Sequence, residues 1–219
     1  NQLPDGTTGD KVKHRYADGL DLTCCYIGTQ TLDNPAANTS GMDYSLDQTD
    51  NEGASWVLGD EAVKGREGID RFTVGKQAFE AELKFSIADV SGTDDCAFGF
   101  RKVEAHQAAI DDYDEMASLN VISGDITIET ILNGASTTST DTTDNWADTA
   151  THSLKVKVTS AGVVTYLIDG TAPSTTAAFT FDSGEVVTPF FYFIHASDVA
   201  GAVVLQKLSV KSDKGSMED

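Results

Sequence analysis

Between Phe79 and Ile87 the chain reads FEAELKFSI, with Phe79, Ala81, Leu83, Phe85 and Ile87 on one face and Glu80, Glu82, Lys84 and Ser86 on the other. A period of two predicts a strand with one buried and one wet face. The same alternation returns at HSLKVKV, where Leu154, Val156 and Val158 interleave with Lys155 and Lys157. Ser160-Ala161-Gly162 then supplies a turn, and Val163 to Ile168 a second β-branched run, so residues 152 to 170 predict a β-hairpin closed by Asp169-Gly170. Further strands are predicted at Leu20 to Ile27, Ser55 to Leu58, Arg71 to Val74, Cys96 to Val103, Leu119 to Ile122, Ile126 to Leu132, Phe179 to Phe181, Val186 to Ile194 and Val203 to Val210. Gly99 marks a bulge or a close contact, and Pro189, which lacks a ladder donor, predicts a position near an edge or a strand start.

Between these runs the pattern weakens. Glu104 to Met116 reads as a helical turn or a polar loop, and Asn133 to Thr151, dominated by Thr, Ser and Asp, as a long surface loop in which Trp146 alone docks. About ten short strands separated by turn signals, with almost no helical period, predict an all-β fold: an antiparallel two-sheet jelly-roll sandwich with an extended N-terminal arm. The arm is read as residues 1–50, the sandwich as 51–211, and 212–219 as a charged tail.

Composition narrows the function classes. The chain has 219 residues, enough for one large β domain, and 15 Lys plus Arg against 35 Asp plus Glu give a net charge of −20. Repulsion from phosphate backbones argues against a nucleic-acid partner, and no run approaches the ~20 apolar residues of a membrane helix. Cys24, Cys25 and Cys96 have neither disulfide-framework nor zinc-ligand spacing and read as reduced thiols. The opening Asn-Gln-Leu-Pro lacks Met and a signal pattern, so a processed product or a fragment is expected.

The succession FEAELKFSI, CAFGFRKV, HSLKVKVTSAGVVTYLIDG, VVTPFFYFI and VVLQKLSVK resembles the concanavalin A-like lectin/glucanase jelly roll, the laminin-G type of sandwich. The resemblance covers roughly residues 55 to 211. Its most specific element is the strand, glycine turn and strand ending in Tyr-Leu-Ile-Asp-Gly. The superfamily it points to includes glucan hydrolases, lectins and the head-decorating proteins of tailed bacteriophages. The Thr-, Ala- and Asp-rich flavour, with its FGFRK and DDYDE islands, looks most like the phage structural proteins.

Candidate chemistry is sparse. A glucanase of this fold would carry two carboxylates alternating on one strand, as Glu-x-Asp-x-Glu. No such run is present: Glu80 and Glu82 lie on a wet face, and Asp111-Asp112-Tyr113-Asp114-Glu115 has mixed register, so no enzymatic activity is expected. The DDYDE cluster, with Asp94 and Asp95, offers oxygens to calcium but lacks the calcium-loop glycine and terminal Glu, and reads as a solvated acidic loop. His14, His106, His152 and His195 are scattered without ligand spacing, and neither metal nor cofactor is expected.

Trp146, flanked by Asn145 and Asp148, is the candidate glycan-contact loop, with Trp56 and Tyr113 behind it; core or anchoring use of these rings is the competing reading. Lys11, Lys13, His14 and Arg15 form the one basic cluster of the arm and are the candidate attachment site, against a solvated tail. Together with the resemblance, these readings lead to the expectation of a capsid decoration protein on the virion exterior. It would contact capsid subunits or other virion proteins as a homo-oligomer, with no nucleic acid and no membrane. A carbohydrate-binding module on a virion or cell surface is the alternative.

Overall fold

The alternation of Phe79–Ile87 is realised residue by residue: five side chains of this strand point into the interior and the four between them face outward. The computed structural model describes residues 11–15, 21–29, 36–38, 41–44, 49–58, 71–196 and 203–213. Strands are numbered in chain order. The larger antiparallel sheet runs β1 (Lys11–Arg15), β2 (Asp21–Ile27), β5 (Gly53–Leu58), β14 (Val186–His195), β8 (Thr93–Lys102), β9 (Met116–Ile122), β10 (Asp125–Ile131), β11 (Thr138–Asn145), with β6 (Phe72–Thr73) on the end of β14. The smaller runs β13 (Val164–Ile168), β12 (Thr151–Val158), β7 (Phe79–Ile87), β15 (Val203–Ser212), β4 (Gly41–Tyr44), β3 (Ala36–Asn38). The fold is the expected two-sheet jelly roll.

The two inner faces form the core. Phe98 and Phe100 of β8, Phe191 and Phe193 of β14, and Leu83 and Phe85 of β7 are essentially fully buried between the sheets. Removing such side chains from water is worth roughly 1.5–3 kcal/mol each, which makes this cluster the main source of stability. The predicted hairpin is present as β12 and β13, and Gly162 takes a φ of 84° in the turn. Gly99 marks a close contact rather than a bulge, since a Cβ there would collide with the Ala117 carbonyl of the neighbouring strand.

Three sequence expectations differ from the structure. Residues 1–50 contribute strands to both sheets: β2 pairs with β5, β4 with β15, and Cys24 and Tyr26 join the core. The surface loop expected at 133–151 contains β11, which pairs with β10 and buries only Thr142 and Trp146 nearby. Pro189 sits in β14, a central strand, opposite Phe100. Its missing donor is tolerated because β6 pairs with Val186 and Val187, and β5 only from Phe190 onward, so Pro189 falls in the gap between them.

Candidate functional site

The outer face of the larger sheet is itself mostly covered. Residues 103–115, between β8 and β9, cross it as a strap. Ile110 and Tyr113 of the strap join Ile27, Val57, Met116, Phe190 and Tyr192 in a second apolar cluster. This accounts for VVTPFFYFI being apolar on both faces: one packs against the smaller sheet, the other beneath the strap. The strap is pinned by polar contacts. Tyr192 Oη donates to the Ala108 carbonyl at 2.6 Å, Ser55 Oγ meets His106 Nδ1 at 3.1 Å, and the Arg101 guanidinium lies 4.4 Å from the centre of the Tyr113 ring. Lys102 Nζ bridges Asp114 at 2.6 Å and Glu185 at 3.3 Å at its base.

Where the strap ends, the outer face opens into a cleft of about 860 Å³ between Ala108–Asp111 and Gly134–Ser139. Its acidic lining comes from Asp94, Asp95, Asp111 and Glu129, and among the described residues no Lys, Arg or His side chain lines it. The lining Thr137 also holds a buried hydroxyl that has no hydrogen-bond partner.

The key arrangement lies beside the floor. Asn120, on β9, donates from Nδ2 to Asp95 Oδ1 at 2.6 Å and to Glu129 Oε2 at 2.9 Å, while its Oδ1 accepts the Cys96 backbone N–H at 2.8 Å. Strand alternation puts Asp95 on β8, Asn120 on β9 and Glu129 on β10 all on the outer face, side by side. One amide nitrogen serving two acceptors through its planar fork holds them roughly 5 Å apart. Burial pushes the Asp95 carboxyl up to about 7; the Asn120 hydrogen bond opposes this, and Glu129, Asp94 and Asp111 add to it. Glu129 is raised as well, chiefly by burial, then by Asp111, again against Asn120. Burial thus favours the neutral form of both carboxyl groups.

The pair has no one-strand carboxylate pattern in the sequence, because its members come from strands separated by a third. Asp95 was singled out only with Asp94 and DDYDE as calcium oxygens. The structure does bring Asp94, Asp95 and Asp111 to one cleft, yet among the described residues no group of three or more His, Cys, Asp or Glu is placed to hold a metal ion. Glu129 carried a signal that was available: a charge inside the apolar strand DITIETI.

The other candidates lie apart from the cleft floor. Trp146 is 2 % exposed, packs on Phe85 at 4.5 Å between ring centres and donates from Nε1 to the Ala150 carbonyl, so its ring anchors the end of β11 in the core. Asn145 and Asp148 beside it are exposed, and Asp148 accepts the Val90 N–H. Trp56 and Tyr113 are buried too, the first in the core and the second on the inner side of the strap, in the second apolar cluster. Lys11, Lys13, His14 and Arg15 form β1, and their side chains lie outside the described residues.

No family model and no curated protein sequence matches the chain. Solved structures do match its fold. An alginate lyase from Corynebacterium sp. superposes with a TM-score of 0.58 at 15% identity, over 96% of this chain and 92% of that one. The carbohydrate recognition domain of Emp47p gives 0.56 at 15%, over 95% and 93%. An alginate lyase from Pseudomonas aeruginosa gives 0.55 at 10%, over 95% and 99%. These are jelly-roll sandwiches of the concanavalin A-like kind, and the likeness is one of fold. It corrects the expectation of no enzymatic activity: alginate lyases recur among the matching structures, so a missing one-strand carboxylate motif is no ground for excluding catalysis in this architecture.

Proposed function

We propose that this chain is a carbohydrate-directed jelly roll. A glycan segment lies in the outer-face cleft, and Asp95 and Glu129 act on its glycosidic bond as an acid and a carboxylate. The observation that carries this reading is the Asn120 amide holding both carboxyl groups beside one open cleft. Sharing one donor nitrogen keeps the two carboxyl groups close, as is needed when one carboxylate attacks and the other protonates the leaving oxygen at a separation of ~5–5.5 Å. Asp95, protonated up to about pH 7, is the donor.

The cleft's charge selects the substrate. Alginate, the polymer for which several of the matching lyases are named, is a polyanion, and a cleft lined by four acidic side chains and, among the described residues, no cation disfavours it. A neutral or amino-bearing glycan is the fitting class. The test is release of reducing ends from a panel of neutral glucans and chitosan, followed by NMR to read the anomer first formed. Asp95→Asn and Glu129→Gln are expected to lower kcat about 10³-fold each with substrate binding kept. Turnover unchanged in both variants, or no glycan bound at all, would sink the proposal.

The virion reading, with capsid subunits as partners, draws its support from the sequence resemblance of residues 55 to 211. Stoichiometric copies of the chain in purified particles, counted by mass spectrometry, would support it; absence from particles would remove it.

A further inference from the structure

The outer face of the smaller sheet is charged opposite to the rest of the molecule. In a chain of net charge −20, β12, β7 and β15, with β13 at their edge, present outward Lys155 and Lys157 from β12, Lys84 from β7, and Lys207 and Lys211 from β15, against Glu80 and Glu82. Those two glutamates are already shared: Glu82 holds Lys155 at 3.0 Å, and Glu80 lies 3.8 Å from each of Lys155, Lys157 and Lys211. The remaining acids nearby, among the described residues, are peripheral. Asp169 closes on His152 at the β13 edge, and Asp213 borders a depression at the far end beside Lys157 and Lys211.

Lys84 and Lys207 are left over. They stand directly opposite each other in the β7–β15 register, both exposed, and neither has a carboxylate partner among the described residues. Like charges in that position, with Cβ atoms ~5 Å apart, destabilise a sheet unless an anion sits between them. At physiological ionic strength the Debye length is ~8 Å, so a ligand on this face feels these lysines more than the distant acidic surface.

We infer that this face binds a linear anionic polysaccharide, its carboxylate or sulfate groups lying over Lys84 and Lys207 and along the row toward Lys157 and Lys211. The chemistry separates this occupant from others. Protein interfaces deplete Lys and rely on aromatic anchors, and the outward positions of these four strands carry no aromatic side chain. Duplex DNA, with one charge per ~1.7 Å, is driven off by the net charge more strongly than a sparsely charged glycan. Lys side chains interleaved with Ser153, Ser209 and Thr165 provide both charge and hydrogen bonds for such a chain. The inference is independent of the cleft on the opposite sheet.

The test is retention on beads coated with polygalacturonate at about 50 mM salt, with release as screening rises. The Lys84→Ser/Lys207→Ser double variant is expected to bind roughly tenfold more weakly or worse. It should melt no lower than the parent, because it removes a repulsion. Asp95→Asn is expected to be retained like the parent, which separates this result from the fate of the cleft. Failure of the parent to be retained, equal retention of the double variant, or tighter binding to a duplex DNA fragment would each overturn the inference.

Discussion

Asp95 and Glu129, on strands that do not touch, are joined through the single amide nitrogen of Asn120. Because that nitrogen donates to both, it favours their charged forms, whereas burial favours the neutral ones, and burial dominates. The pH behaviour of the fold follows. An acid whose native pKa lies above its unfolded value binds protons more tightly when folded. Its contribution is therefore full below about pH 4 and declines as pH rises toward 7. Asp95→Asn should raise the Tm by roughly 3–6 °C at pH 8, with the gain vanishing near pH 4, read by calorimetry across pH.

Asn120→Ala leaves two carboxylates and the Cys96 N–H without their shared partner. A loss of about 2–4 kcal/mol at neutral pH is expected from urea unfolding, smaller in acid where the carboxyls are neutral. An equal loss at pH 4 and pH 8 would mean that the amide serves packing alone.

Tyr192→Phe removes the hydroxyl that holds Ala108 and keeps the ring in the second apolar cluster. Global stability should fall by only about 1 kcal/mol, while limited proteolysis within residues 103–115 accelerates several-fold. Unchanged cleavage would show that Ile110 and Tyr113 alone seat the strap.

Trp146→Ala should cost about 3–5 kcal/mol, because the ring lies against Phe85 in the core. Trp146→Phe, which keeps much of that contact, should be milder and leave glycan binding intact, measured on the same array as the parent.

The strands of the core were legible because burial on one face leaves a period of two, and β7 and β12 show it without interruption. β11 was not, because TSTDTTDN buries a single threonine, Thr142, whose hydroxyl donates to the Ile126 carbonyl. Its strand identity comes from pairing with β10, a relation between distant segments that no local pattern carries. The same limit hid the cleft. In the sequence Asp95 sits in an acidic run at the start of β8 and Glu129 in an apolar strand, and only the order β8, β9, β10 makes them neighbours across Asn120. Trp146 looked like a loop aromatic because its polar neighbours say nothing about the direction of its ring.

The placement of β14 and β15 bears on how the chain reaches this state. β14 lies between β5 and β8 in one sheet, and β15 between β7 and β4 in the other. Each is an interior strand, yet both come from the last part of the sequence. Neither sheet can close until these segments have left the ribosome, so the earlier strands wait with apolar faces and open edges exposed. Such distant pairings make for slow folding, and the net charge of −20 works to keep unfinished copies apart while they wait.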